Sequence, residues 1–358
     1  MNPDRTFRSE ALARAVREVV QAAGSLPDES RQVAENLVEA NLKGHDSHGV
    51  GMVPRYVDAV GEGGLVPNAH ARIEHDAGAL VRLDGQLGYG QSVGREAMEL
   101  AIERARAHGV AVVALARAHH LGRIGAWAEQ CVAAGLVSIH FVNVIARPIV
   151  APFGGRDARH GTNPFCIGVP RRGGDPVVLD FATSRVAQGK ARVAYNAGKP
   201  LAPGLLIDDV GRPTTDPRYA VIEPSGALTP FGEHKGSGLA LVCELLGGAL
   251  TGGATWRGAS DARRQVLNGM LSIVIDPDGL GTADHLAREA QAFCDWFAQS
   301  PPAEQDSRVQ TPGEPERNTA RRRAADGVPV DAATWAEIVA AGGKVGVTQA
   351  RLDELAAG

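Results

Sequence analysis

Histidines gathered in loops are the residues of this chain best suited to exchange protons with a substrate. The run Gly44-His45-Asp46-Ser47-His48-Gly49 crowds two of them against an aspartate and a serine. Imidazole titrates near neutral pH, so it can give a proton to a carbonyl oxygen or take one back from a hydroxyl. A second pair, His119-His120, follows the apolar run Val110 to Ala116 and precedes Leu121-Gly122-Arg123. Each has a plain structural reading beside the chemical one. The first would be solvated histidines in an Asx-type turn, and the second a hydrogen-bonded, partly buried pair.

Two more stretches suit ligands. Phe231-Gly232-Glu233-His234-Lys235-Gly236 opens a helix, whose free N–H groups and positive dipole end attract anions, with Lys235 adding a charge. An ordinary charged helix start is its plain reading. Val178-Leu179-Asp180-Phe181-Ala182-Thr183-Ser184 reads as a strand ending in a polar turn, or simply as a core strand whose Thr183 or Ser184 caps the next segment. Taken together, His45, His48, His119 and His120 also suggest a metal-assisted hydrolase. They lack the i,i+4 spacing of zinc hydrolases and no HExxH is present, so no metal is expected. Gly88-Tyr89-Gly90-Gln91-Ser92-Val93-Gly94 resembles a dinucleotide fingerprint one residue too long. No acid ends the following strand, where Arg117 and Ala118 stand, so a Rossmann site is rejected.

The whole chain sets wide bounds. Its 358 residues suit two domains, with 44% hydrophobic and 22% charged residues as in globular proteins. A net charge of −4 gives no basic surface for nucleic acid. No signal peptide or membrane-spanning run is visible. Cys131, Cys166, Cys243 and Cys294 are far apart and form no CxxC pair, which fits reduced thiols in the cytoplasm.

The elements that would hold these residues can be read from periodicity. Residues 7–43 read as two helices, with Ser9 capping the first and Pro27-Asp28 opening the second. Val33, Leu37 and Val38 of the second face a core, and Gly44 ends it. From Ala79 strands alternate with helices: Ala79 to Leu83, Val110 to Ala116 and Leu136 to Asn143, with helices from Arg95 to His108 and Ile124 to Ala134. His119-His120 would then sit at the carboxyl end of a parallel strand, beside a ligand crevice. Phe165 to Val169 and Pro176 to Phe181 are strands, and 196–230 is a long loop. Lys235 to Leu250 is a well-packed helix, Leu271 to Ile275 a strand, and segment 300–317 polar and Pro-rich. Asp331 and Thr348 cap the final helices. The expected class is a mixed α/β (α+β) fold. Residues 1–75 and 285–358 would make a discontinuous helical domain, and 76–284 an α/β domain for substrate and cofactor.

Six stretches occur here in one order: GHDSHGVGMVPRY, HHLGRIGAWAEQ, APFGGRDARHGTNPF, LDFATSRVAQGK, FGEHKGSGLALVCELLGGALTG and TPGEPERN. Together they resemble the second malate/L-lactate dehydrogenase family, over nearly the entire chain. The resemblance implies a non-Rossmann fold of the malate/sulfolactate dehydrogenase type. It implies an oxidoreductase that uses NAD or NADP to interconvert 2-oxo and 2-hydroxy acids, and a homodimer with the cofactor near the subunit interface. Reduction of a cyclic imino acid on the same fold is the alternative within the family. By the same resemblance His48 lies against substrate and nicotinamide, and His120 is the second active-site histidine. Gly122, Arg123 and Ile124 match a cofactor-contacting turn. Val178, Leu179, Asp180, Phe181 and Ala182 match a strand facing the nicotinamide amide. His234 and Lys235 match a site for the cofactor's phosphates or ribose, and Asn268, Gly313, Glu314, Pro315 and Glu316 further cofactor contacts.

Many members carry arginine where this chain has Met52, and tyrosine where it has Ser237. A 2-oxo acid still needs a cation for its carboxylate, and arginine's planar fork suits it. Arg55, Arg123 and Arg147 lie in or beside the motifs. Arg147 is favoured, because it follows the strand Leu136 to Asn143 and would point into the same crevice. Ser47 is expected beside the substrate, orienting a histidine.

Overall fold

The computed structural model describes residues 5–196, 198–256, 266–304 and 308–357; residues 305–307 of the polar segment lie outside them. A short strand, β1 (Arg5–Phe7), precedes α1 (Ser9–Ala22) and α2 (Pro27–Leu42). Leu12, Val16 and Val19 of α1 meet Val33 and Leu37 of α2 in one buried cluster. Ser9 is the first helical residue; the capping position falls to Arg8, and no side chain caps this end. Pro27 opens α2, where its missing N–H costs no bond. Gly44, at φ +84°, turns the chain out of α2. Two short 3₁₀ turns, Asp46–His48 and Val50–Met52, then lead to α3 (Val53–Gly61).

The α/β part runs β2 (Arg72–Ala77), β3 (Leu80–Asp84), α4 (Gly90–His108), β4 (Val110–His119), α5 (Gly125–Ala133), β5 (Val137–Ile145), β6 (Phe165–Val169) and β7 (Val177–Phe181). A smaller lobe comes next, with α6 (Gln188–Asn196), β8 (Leu206–Ile207), β9 (Pro213–Thr214), α7 (Arg218–Val221) and β10 (Ala227–Leu228). Then come α8 (His234–Cys243), which continues as a π-helical turn Glu244–Ala249, and β11 (Leu267–Ile275). The chain closes with α9 (Ala283–Ala298), α10 (Glu314–Asp326), β12 (Val328–Val330), α11 (Ala332–Lys344) and α12 (Gln349–Ala356). Asp331 and Thr348 cap the last two helices with their side chains, accepting from Thr334 N and Arg351 N.

The main sheet has the order β2-β3-β4-β11-β5-β6-β7. Only β3–β4 is parallel, across the α4 crossover; every other neighbouring pair is antiparallel. This corrects the expected parallel-sheet crevice, because β11 returns late in the chain and wedges antiparallel between β4 and β5. β2 went unseen in the sequence because every residue in it is exposed, which erases the alternation that marks a strand. One core lies between this sheet and α4 and α5, with Met98, Leu115, Trp127, Cys131 and Met270 inside. A second joins both ends of the chain: Phe7, Leu12, Leu37, Tyr56, Trp335, Ile338 and Leu352. A third holds the small lobe, where Val150, Ala191, Leu206 and Leu228 organise a stretch that reads as loop in the sequence.

The well-packed helix expected from Lys235 to Leu250 is corrected too. Leu241 and Leu245 are 60% and 49% exposed. The face against β5 is made of Ala240, Cys243 and Gly247, and a Cβ at Gly247 would strike the backbone of Phe141 and Asn143. Close backbone approach takes the small residues inward and leaves the leucines out. No residue of α9 is buried either, and Phe293 and Trp296 are exposed. Among the described residues no helix is long and apolar enough to cross a membrane.

Candidate active site

The loop bearing His48 is set from below by Asn41, in the last turn of α2. Its Oδ1 accepts from Val50 N at 2.8 Å and its Nδ2 donates to Asp46 Oδ1 at 2.7 Å. Gly49 must be glycine, because a Cβ there would overlap the Asn41 amide. Arg323 of α10 reaches the same carboxylate, with Nη1 2.6 Å from Asp46 Oδ1 and Nη2 3.0 Å from Oδ2. One turn before the Gly49 bend, His45 Nε2 lies 3.4 Å from Glu316 Oε1. Held at both flanks, the loop brings Ser47 Oγ to 2.9 Å from His48 Nδ1.

His119 and His120 arrive from the end of β4. The glycine-rich stretch rejected as a nucleotide loop serves them: Gly90, the first residue of α4, lies so close to the His119 and His120 carbonyls that a Cβ would collide with both. His119 N donates to Gly88 O at 2.9 Å. The His120 and His48 rings stack with centroids 5.5 Å apart and planes 22° from parallel. On its other side His120 Nδ1 is 2.8 Å from Tyr56 Oη, which also accepts from Gln91 Nε2 at 2.8 Å. His119 lies edge-on to Tyr56 at 5.5 Å, and neither of its ring nitrogens has a partner among the described residues. Tyr56 and Gln91 went unassigned in the sequence, although both stand inside glycine-marked motifs; a tyrosine at helical spacing reads as core.

Burial keeps these rings neutral. It takes His48 down to about 4, helped by the nearby charges of His45 and Arg123. It takes His120 well below the ordinary value, with His48, His119 and Arg55 adding to the effect, and His119 to about 3. A neutral imidazole can accept a proton from a hydroxyl group or donate a hydrogen bond to a carbonyl.

The other expected residues fall into groups. Gly122, at φ +71°, Arg123 and Ile124 make the turn from β4 into α5. Arg123 is buried and ion-paired with Glu129, and Asp180 Oδ2 accepts from Gly125 N at 2.7 Å. Asp180 is on β7, the edge of the sheet, with Leu179 partly exposed and Phe181 edge-on to Phe165 and Phe231. Val178 N donates outward to Pro312 O at 3.2 Å, so the two-residue period turns the Asp180 amide and carbonyl to the same edge. Gly313, at φ +87°, packs on Val178 and starts α10, with Pro315 in its first turn. Glu314 pairs with Arg308, and Glu316 meets His45. Asn268 is buried behind the site: Oδ1 accepts from Leu121 N at 2.8 Å and Nδ2 donates to Asn143 O at 2.9 Å. His234 and Lys235 are exposed at the start of α8, with His234 6.1 Å from the Phe153 ring. Arg147 is exposed and paired with Glu223 at 3.2 Å, on the small lobe. Of the four histidines suggested as metal ligands, His48 and His120 meet, but among the described residues no three His, Cys, Asp or Glu groups gather as a metal would require.

A family model described as malate/L-lactate dehydrogenase matches residues 7–339. The chain belongs to that family. It is therefore an oxidoreductase that interconverts 2-oxo and 2-hydroxy acids with a nicotinamide cofactor, on the non-Rossmann fold the motifs implied. It is 47% identical to hydroxycarboxylate dehydrogenase B of Escherichia coli over 354 residues, covering 98% of each chain. It is 41% identical to L-lactate dehydrogenase of Cupriavidus necator over 326 residues, covering 90% of this chain and 93% of that one. The sulfolactate dehydrogenase structure from Methanocaldococcus jannaschii superimposes with a TM-score of 0.87 at 31% identity, covering 98% and 99%.

Proposed function

We propose that this dehydrogenase acts on small or aromatic 2-oxo and 2-hydroxy acids, with His48 and His120 meeting the substrate oxygen and Ser47 beside it. The observation that carries this is the stacked His48–His120 pair, each ring tied at Nδ1 to a hydroxyl, Ser47 or Tyr56. An oxygen at the free edges of the two rings would have one nitrogen to hold it and another to exchange its proton.

The residues suit a nicotinamide cofactor, NAD or NADP. The outward amide and carbonyl of Asp180 match the donor and acceptor of a carboxamide, with Val178, Leu179, Phe181 and Ala182 shaping that edge. Gly122, Arg123, Ile124, Gly313, Glu314, Pro315 and Glu316 border it from two sides. The open helix start at His234 and Lys235 suits phosphate oxygens. Asn268 supports the site by fixing Leu121. When bound, the cofactor supplies or accepts the hydride; the chain's part is to hold the substrate and move the proton.

The exposed stripe of Leu241, Val242, Leu245 and Leu250 supports a homodimer, since a large apolar face is costly to leave in water. Four cysteines as free thiols support a reducing cytoplasmic setting. The test is loss of NADH or NADPH absorbance with a panel of 2-oxo acids and cyclic imino acids. His48→Ala and His120→Ala should each lower kcat by roughly 100-fold or more. Near wild-type kcat/KM in both variants would refute the assignment.

A further inference from the structure

Tyr56 is 1% exposed, and its ring is fixed edge-on against Tyr89 at 5.6 Å and His119 at 5.5 Å. Its hydroxyl has two partners, Gln91 Nε2 and His120 Nδ1, each at 2.8 Å. A phenol has one proton to give. Gln91 presents its amide nitrogen to the tyrosine oxygen, with Oε1 left without a partner among the described residues. In that orientation Gln91 can only donate, so it occupies a lone pair on the tyrosine oxygen and leaves the phenolic proton pointing at His120. Burial raises the Tyr56 ionisation, so that proton stays in place. With Nδ1 accepting, the neutral His120 ring must carry its own proton on Nε2.

His48 is held differently. Its Nδ1 partner is the Ser47 hydroxyl at 2.9 Å, a rotor that can donate or accept. A second proton on His48 therefore orphans nothing. A second proton on His120 would make Nδ1–H face an oxygen that Gln91 already donates to, and would strand the phenolic proton in the core. His48, His119, Tyr56 and Arg55 are the titratable groups that bear on His120 among the described residues.

We infer that the Gln91–Tyr56 pair locks His120 as the neutral Nε2–H tautomer, so that His120 holds the substrate oxygen as a fixed donor and His48 is the group that exchanges the proton. Tyr56 and Gln91 are then positioning residues, acting through His120. The inference rests on the reading of His48 and His120 as the active pair and divides their labour. In the 2-hydroxy acid direction His48 Nε2 takes the O–H proton, while a bound nicotinamide would accept the hydride. In the 2-oxo direction the same proton returns from His48 to oxygen.

The test joins nitrogen NMR of the ¹⁵N-histidine protein with pH–rate profiles. His120 resonances, assigned by their loss in His120→Gln, should show a neutral Nε2–H ring from pH 8 down to pH 5.5. Tyr56→Phe keeps the ring and removes the hydroxyl. It should release the lock, giving mixed tautomers and a second ionisation in kcat/KM, with kcat lowered roughly 10- to 100-fold and KM little changed. Gln91→Glu offers Tyr56 an acceptor and should turn His120 to Nδ1–H. A wild-type His120 that is Nδ1–H or doubly protonated near pH 6.5 overturns the inference, as does a Tyr56→Phe enzyme with unaltered tautomer and profile. If His48→Ala and His120→Ala both leave kcat/KM unchanged, the underlying assignment has failed instead.

Discussion

Arg323 and Asp46 are 277 residues apart in sequence and share a two-contact ion pair, its arms 2.6 and 3.0 Å long. Asp46 is two residues before His48, so the pair sets where the His48 loop rests on α10. Arg323→Leu should lower kcat by roughly 10- to 100-fold, because small misplacement of a reacting group is expensive. Stability should fall by only about 1 kcal/mol, since Asp46 is half exposed. Steady-state kinetics and a urea melt check both. Unchanged kcat would show that Asn41 alone fixes the loop.

Acid should weaken the fold from a defined point. His119 and His140 are fully buried, and burial lowers both to about 3 from 6.5. Between those values the unfolded chain binds protons that the folded chain refuses. Stability is therefore complete above pH 6.5 and falls as the pH drops, by about 1.4 kcal/mol per pH unit for each histidine. His140 bonds Ser272 Oγ at 2.8 Å and Ser138 Oγ at 3.0 Å, so His140→Gln should be less stable at pH 7. Its loss between pH 6 and pH 4 should nonetheless be shallower. Equal slopes in urea titrations would reject this account.

The carboxylate anchor can be decided by two substitutions. Arg55 lies close enough to His119 and His120 for its charge to lower both, which puts a cation beside the histidine pair; Arg123 is buried against Glu129, and Arg147 pairs with Glu223. Arg55→Met should raise KM for the 2-oxo acid about 10- to 100-fold, the equivalent of roughly 1.5–3 kcal/mol, without changing cofactor Kd. Arg147→Met should leave KM within about two-fold. The reverse pattern would return the anchor to Arg147.

Assembly can be broken on α8. Leu241→Glu with Leu245→Glu places two charges on the exposed apolar stripe. The altered chain should be monomeric by light scattering at micromolar concentration, and the parent chain should be a dimer under the same conditions. A monomeric parent would end this reading, and a dimeric variant would move the interface elsewhere.

Local features of this fold could be read from sequence, and long-range ones could not. Gly44, Asp331 and Thr348 act as expected because a helix end depends on a few adjacent residues. The His48 and His120 motifs were visible because each is contiguous. Their meeting was expected from the family resemblance and not from either motif alone, since it depends on α4 starting against β4 at Gly90. Arg323 was hidden in a polar helix with no mark of a partner at Asp46. The leucines of α8 misled because apolar periodicity reports a face that avoids water, and says nothing about whether the cover comes from the same chain.

One core of this enzyme joins two distant parts of the sequence, Phe7 to Tyr89 with Val328 to Ala356. During synthesis the α/β sheet can close as soon as β11 emerges, while α1, α2 and α3 wait with their apolar faces open. Arg323 and Trp335 are made after β11, so the His48 loop is seated only once synthesis has passed α10 and α11. A nascent or truncated copy would hold the sheet, β4 and His120 without a working site, and would be exposed to chaperones and proteases at its N-terminal helices. Activity in this protein thus reports synthesis carried past α11.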